Sequence, residues 1–312
     1  MHTRRPIQSI LLLFVFLITS SLTSDAPPQA EENDTKIIPV TLRNVSYPAE
    51  DPQVRYLQDC WRRRERKVNL PLSKTAIILI DIWNKRNERL QDNPLVDDII
   101  EDKIAPLLEV ARKANMVVIY AVHRPIGWDG MNLDPTVDHR HPISAGRDEL
   151  PEFIKNKKLH IPEWPPLEFI FRVGEFKQFA TDSDPLYLPY TQVLGIHPKI
   201  LPIRRKKEYI EYRLGEVKQI LKDNGILHLV YAGGATNICV VERPVGIRIM
   251  SFLGYNTIIL RDATWGSELP DTWDTLDITK AAVLDIEMNN GFSASSEELV
   301  SEIRKCLAKA NN

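Results

Sequence analysis

The sequence predicts an α/β protein: a three-layer α-β-α arrangement around a central, mostly parallel, doubly wound sheet of about six strands. Three observations predict it. Residues 75–82 (TAIILIDI), 116–122 (MVVIYAV) and 227–231 (LHLVY) are nearly continuous apolar runs, the pattern of parallel strands buried on both faces. Between the first two, Ile99, Ile100, Ile104, Leu107, Leu108 and Ala111 recur at helical spacing, so strand and helix alternate. The third run stops at Gly233-Gly234, passes Ala235-Thr236-Asn237 and resumes with helical apolar spacing, with Cys239 near the helix start. Together these give a Rossmann-like plan, with a strand-turn-helix unit at its centre.

Taken in order, the chain of 312 residues opens with His2, Arg4 and Arg5, an apolar stretch over 10–18 and small polar residues over 19–24. That reads as a secretory signal peptide (residues 1–24), because the apolar run is too short to span a bilayer. The mature chain is expected to be secreted or lumenal, or periplasmic in a bacterial source, and free of the membrane once the signal is cleaved. Asn33 and Asn44 each begin a glycosylation sequon. Residues 25–70 read as a flexible leader and N-terminal extension, rich in Pro, Glu, Asp and Asn. Within it, 37–42 is a candidate edge strand and 56–67 a candidate short helix. The main domain is expected over 71–312.

The first buried strand ends at Asp81. A carboxylate in so apolar a run must be paired or neutral, and the carboxyl ends of parallel strands are where open α/β sheets hold ligands. A helix over 94–115 leads to the second strand. From about 123 to 200 the alternation is lost among Pro, Gly and aromatic residues, including Trp128. An insertion of this length at a strand end suits a lid or pocket wall. Asp134, Asp138, His139 and His141 cluster there; a polar loop is the preferred account, and no metal or other cofactor is expected. A short strand over 201–204, Lys206 and Lys207, and a helix over 208–223 ended by Gly225 follow. After Cys239, Gly254-Tyr255 closes a helix and 256–261 is the next buried strand, ending in Asp262-Ala263-Thr264. A helix over 278–288, a strand over 291–294 and an amphipathic helix starting at the Ser295-Ser296-Glu-Glu cap complete the chain.

Lys and Arg (40) nearly balance Asp and Glu (42), so no global field draws in nucleic acid or an anionic membrane. The basic run Arg62, Arg63, Arg64, Arg66, Lys67 is read as a solvated face. Three cysteines, Cys60, Cys239 and Cys306, are too few for a disulfide framework. One pair could form, and Cys239 is then the free thiol. In the first turn of a helix a thiol meets the positive end of the macrodipole, which lowers its pKa, beside backbone N–H groups that can hold an oxyanion.

An Asp ending the first buried strand, a Lys before a middle helix and a Cys in the turn Gly-Gly-Ala-Thr-Asn-x-Cys-Val together resemble the isochorismatase-like cysteine hydrolase superfamily, which includes nicotinamidases and N-carbamoylsarcosine amidase. The match covers 75–122 and 201–299, and is strongest at 233–240, Gly254-Tyr255 and Arg261-Asp262-Ala263. The resemblance implies Asp81 as base, Cys239 as nucleophile and Lys206 as the cation that lowers the thiol pKa. Lys206 is reached by counting back from Gly225-Ile226 through Tyr212, with Arg205 and Lys207 one residue away. It also implies an oxyanion hole from the N–H groups of Ala235 and Cys239, and a cis peptide between Gly234 and Ala235. Trp83, Asn84, Trp128, Thr236 and Asn237 become candidates for the pocket of a small amide substrate, and a homo-oligomer is in keeping with the family. Trp83 and Asn84 depart from the common residues after Asp81, and Pro244 and Gly246 interrupt the helix after Cys239. The implied activity is cleavage of a C–N bond in a small amide or ureido compound through an acyl-enzyme. The alternatives are a non-catalytic binding protein on the same scaffold and a vinyl-ether hydrolase of the isochorismatase kind.

Overall fold

The computed structural model describes residues 36–46, 61–82, 94–122, 164–170, 173–179, 196, 198–200 and 206–310. The signal peptide expected over 1–24, residues 25–35, most of the 123–200 insertion and the strand expected over 201–204 lie outside them, as does the cluster around His139.

Three strands carry the centre of the sheet: β3 (Thr75–Ile80), β4 (Val117–Ala121) and β6 (His228–Gly234). Every residue of β3 and β4 is buried, as runs of Ile, Val, Leu and Ala demand when helices cover both faces. Between β3 and β4 the helix Pro94–Ile99 passes through a π turn, Ile100–Ile104, into Ala105–Lys113, together α1. Beyond β4 come β5 (Glu208–Ile210), α2 (Leu214–Asp223), β6, a π-helical turn Thr236–Val240, α3 (Ile247–Phe252) and β7 (Asn256–Trp265). Then follow α4 (Asp277–Asn289), β8 (Phe292–Ala294) and α5 (Ser296–Ala310).

The strand order is β2 (Arg62–Pro71), β1 (Ile37–Ser46), β8, β7, β6, β3, β4, β5. All pairs from β8 to β5 are parallel. Alternate residues of β3 divide between two cores. Ile77 and Leu79 pack with Leu107 and Leu108 of α1 and Leu299 and Ile303 of α5. Ala76, Ile78 and Ile80 pack with Val217 and Leu221 of α2, Ile247 and Met250 of α3, and Val283 and Ile286 of α4. The period-two alternation of a strand thus serves two helical layers.

The sheet has eight strands where about six were expected, because the N-terminal extension supplies two more. β1 (Ile37–Ser46) and β2 (Arg62–Pro71) pair antiparallel over their full length, and β1 joins β8 at Arg43↔Ser293. Ile38, Val40 and Leu42 enter the core, while Arg43 Nε lies 2.7 Å from the buried carboxylate of Glu287 on α4. Residues 62–67 are therefore strand, not the short helix expected over 56–67. Their side chains are exposed on both faces, so no apolar alternation marks them.

The register also differs after the insertion. The strand is Glu208–Ile210 and the helix starts only at Leu214, so residues 208–213 are not helical where a helix was expected. The Arg112 guanidinium ties this edge strand down, with Nε 2.7 Å from Glu208 Oε1 and an Nη 3.2 Å from the Tyr120 hydroxyl.

The chain leaves β3 outward through β4 and β5, then returns to β6 on the other side of β3. The reversal falls between β3 and β6, and a crevice opens at such a switch point beyond the carboxyl ends of the strands.

Candidate active site

Asp81 and Cys239 meet at this switch point. Asp81 follows the last residue of β3 with φ of 45° and is 5 % exposed. Left-handed backbone is uncommon outside glycine, and Asp is among the residues that tolerate it. Cys239 lies in the π-helical turn after β6 and is half-buried. The Asp81 carboxylate acts on its thiol through charge and hydrogen bonding, and hydrogen bonding from the Ala235 backbone favours the ionised sulfur.

The two glycines allow this approach. Gly233 has φ of 106°, and a Cβ there would sit 2.0 Å from the Ile80 carbonyl oxygen, so β3 and β6 could not run this close with a side chain present. A Cβ on Gly234 would fall 2.2 Å from Trp265 Nε1. The Gly234–Ala235 peptide is cis, as the resemblance implied. A buried hydroxyl relay fastens the turn: Thr264 Oγ1 donates to the Gly233 carbonyl at 2.6 Å, and Thr236 Oγ1 donates in turn to Thr264 Oγ1 at 2.6 Å. Thr264 reaches that position because the β6–β7 register shifts between Tyr231 and Gly233. The residues looped out include Asp262, whose carboxylate accepts the Ser296 N–H and hydroxyl at the start of α5.

Burial pushes the Cys239 thiol above its ordinary pKa, the Asp81 carboxylate adds to the rise, and Arg243 opposes it. The thiol expected to be acidic is held protonated at rest. The turn is a short π-helix rather than the first turn of a long helix, so little macrodipole bears on the sulfur, while the neighbouring carboxylate bears on it strongly.

Arg243 forms an ion pair with Asp81, and Nη1 lies 3.4 Å from the Ala121 carbonyl at the end of β4. Its side chain is 19 % exposed. The helix breaks just after it, at Pro244-Val245-Gly246. Pro244 lacks the N–H that would continue the ladder. Gly246 lies against the Val240, Val241 and Arg243 carbonyls, with room for no Cβ. The Tyr231 hydroxyl, kept neutral by burial, donates to the Val245 carbonyl at 2.9 Å.

Lys206 is not brought to this site. It is exposed and precedes β5. Because Glu208 pairs with Val118 and Ala121 with Ile80, Lys206 lies six residues back along the sheet from the level of Asp81, about 20 Å at 3.3 Å per residue. Lys207 is at the same end, its carbonyl accepting the Val118 N–H. Arg205 is outside the described residues. At the carboxyl end of β5 stands Glu211, whose carboxylate takes the Arg213 side chain at 2.8 Å and the Tyr212 and Arg213 N–H groups.

Of the pocket candidates, Thr236 is fully buried in the relay. Asn237 is exposed, with Oδ1 accepting the Ser267 N–H at 2.9 Å. Trp83, Asn84 and Trp128 lie outside the described residues. Cys306 on α5 is a free thiol, and Cys60 is outside the described residues. Arg243 escaped the sequence reading; the signal was a lone cation four residues after Cys239 among Val240, Val241 and Val245.

No family model matches the chain. It is 27% identical over 198 residues to the ureidoacrylate amidohydrolase RutB of Caulobacter segnis, covering 63% of this chain and 69% of that protein. It is likewise 27% identical over 201 residues to RutB of Caulobacter vibrioides, covering 64% and 75%. Among solved structures, a cysteine hydrolase from Pseudomonas syringae pv. phaseolicola aligns with 76% of this chain and 95% of its own, at 18% identity and a TM-score of 0.46. N-carbamoylsarcosine amidase from Thermoplasma acidophilum aligns over 72% and 97%, at 16% identity and a TM-score of 0.37. With its parallel sheet, its Asp81–Cys239 pair and its likeness to RutB, the chain resembles the isochorismatase-like cysteine hydrolase superfamily.

Proposed function

We propose that the protein is a cysteine amidohydrolase that cleaves a C–N bond of a small amide or ureido substrate. The observation that carries this reading is the Asp81 carboxylate at the end of β3 acting on the Cys239 thiol at the switch point, with the Ala235 backbone favouring the ionised sulfur. Asp81 accepts the thiol proton as the sulfur attacks the carbonyl carbon, so a preformed thiolate is not needed. The tetrahedral oxyanion takes the N–H groups of Ala235 and Cys239. The C–N bond then breaks, the amine leaves with the proton held on Asp81, and water hydrolyses the thioester to release acid and free thiol. The likeness to RutB supports the ureido class.

The test is ammonia or amine release from a panel of small amides and ureido acids, with mass spectrometry of the Cys239 peptide after rapid quench. Wild type is expected to turn over at least one substrate and to carry an acyl mass on Cys239. C239A and D81N should lose turnover, and full activity in either refutes the assignment. A second reading, a binding protein on the same scaffold, draws on the raised pKa of Cys239; saturable binding of a panel compound with no acyl mass would favour it.

We also read residues 1–24 as a cleaved signal peptide, which places the mature protein in a secretory or periplasmic compartment. Expression of the full chain, with N-terminal sequencing of the product in the medium or periplasm, tests this; retention of Met1 in the cytosol overturns it.

A further inference from the structure

We infer that Arg243 is the positioning cation of this site, taking the part for which Lys206 was expected. The inference rests on the cysteine amidohydrolase reading and adds to it the residue that sets the charge on the Asp81–Cys239 pair.

Three features of the fold carry it. The guanidinium pairs with Asp81 and also reaches the Ala121 carbonyl at the end of the neighbouring strand, so it bridges the carboxyl ends of β3 and β4. Its position is built rather than incidental, since Pro244 ends the helix, Gly246 fits against three carbonyls without a Cβ, and the buried Tyr231 hydroxyl holds Val245 in place. Arg243 sits one helical turn after Cys239, so nucleophile and cation share a face. By contrast, the lysines on the approach to β5 are at the far end of the sheet, and the carboxyl end of β5 presents the acidic Glu211, already engaged by Arg213.

The chemistry of the cation follows. A guanidinium stays protonated throughout the range in which proteins fold, so Arg243 takes no part in proton transfer and leaves the thiol proton to Asp81 alone. A lysine in its place could lose its proton when desolvated. The charged groups that bear most strongly on the Cys239 thiol are Asp81, from the end of β3, and Arg243, from its own turn, and they act in opposite directions. Removing Arg243 takes away a charge that opposes burial and Asp81, and the thiol becomes harder to ionise.

The experiment is the rate of Cys239 alkylation by iodoacetamide against pH in the full chain, with Cys306 as an internal control and circular dichroism as a check on folding, for wild type, R243Q, R243K and K206A. Expected is a rise of about one unit in the apparent pKa of Cys239 labelling in R243Q, which is roughly tenfold slower labelling at neutral pH. R243K, which keeps the charge, should lie between R243Q and wild type, and K206A should match wild type. A shift in K206A with none in R243Q overturns the inference, as does an R243K profile identical to that of folded R243Q. Should R243Q fail to fold, R243K and K206A still decide between the two cations. Labelling needs no turnover, so an enzyme inactive on every amide tested but showing the Arg243 shift separates failure of the functional reading from failure of this one.

Discussion

The hydroxyl relay behind the nucleophile makes a quantitative prediction. Thr264→Val keeps the shape of the side chain but removes the donor to the Gly233 carbonyl and the acceptor of the Thr236 hydroxyl, both 2.6 Å away. Thr236 is fully buried, so its hydroxyl has no water to turn to. An unsatisfied buried hydroxyl costs about 1–3 kcal/mol and a lost hydrogen bond about 1 kcal/mol, giving about 2–4 kcal/mol for T264V. Thr236→Val leaves Thr264 still donating to Gly233 and should cost only about 0.5–1.5 kcal/mol. In the double variant no hydroxyl is stranded, and removing both partners together is cheaper than removing one, so its loss should be about 1–2 kcal/mol. The double variant is therefore predicted to be more stable than T264V alone. Urea unfolding followed by circular dichroism, with equal slopes across the four proteins, measures the cycle. A T264V protein within about 0.5 kcal/mol of wild type, or strictly additive losses, would refute the relay as a stabilising unit.

Other predictions concern the thiol, the edge strand and a helix cap. Because burial and Asp81 push the Cys239 pKa up, wild-type labelling should rise only above the ordinary thiol range of about 8.5. D81N, which removes the charge, should then label faster at neutral pH while losing turnover; slower labelling in folded D81N would contradict the electrostatic account. Glu208 has no exposed side-chain surface, and E208A removes the buried carboxylate that pairs with Arg112, so a loss of about 3 kcal/mol and faster amide exchange at Val118 are expected, read by hydrogen exchange. Glu268 accepts the N–H groups of Ile278 and Thr279 at the start of α4. Burial raises its pKa, but hydrogen bonds from Thr272 and Thr279 outweigh this and hold it below the usual carboxylate value. A depressed folded pKa means its contribution is present above the unfolded pKa near 4.3 and is lost as pH falls through the folded value. E268Q should therefore lower stability at pH 7 and differ little from wild type near pH 3, which unfolding at the two pH values would check.

What could be read in the sequence follows from what each segment buries. β3, β4 and β6 are enclosed by helices, so their apolar runs announced them, and Gly233-Gly234 followed by Cys239 fixed the turn where β6 ends. Asp81 was legible because a carboxylate closing such a run needs a partner. β2 was not, since residues 62–67 lie open on both faces and their strand character comes from pairing with β1, a long-range contact with no local periodicity. Lys206 was located by counting back along the chain from Gly225. The count places Tyr212 at the opening of the helix, whereas the helix starts at Leu214 and the strand Glu208–Ile210 lies between it and the lysine. Arg243 was hidden for a related reason. Its proximity to Asp81 depends on a helix break whose direction is set by Tyr231 and Gly246, residues that touch it only after folding.

The β1–β2 hairpin has a consequence for how copies of the protein meet. Without it, β8 would present the open edge of the parallel sheet, a row of unpaired N–H and C=O groups beside the apolar core. The hairpin covers that edge and moves the exposed boundary to β2, where Arg62, Arg63, Arg64, Arg66 and Lys67 crowd one strand. Two molecules approaching boundary to boundary would set these cations against one another, with Glu65 the single acid among them, and a concentration of charged side chains discourages strand-on-strand association. The same repulsion weakens as salt shortens the screening length, so colloidal stability at this boundary is a function of ionic strength, carried by a segment that never approaches the thiol.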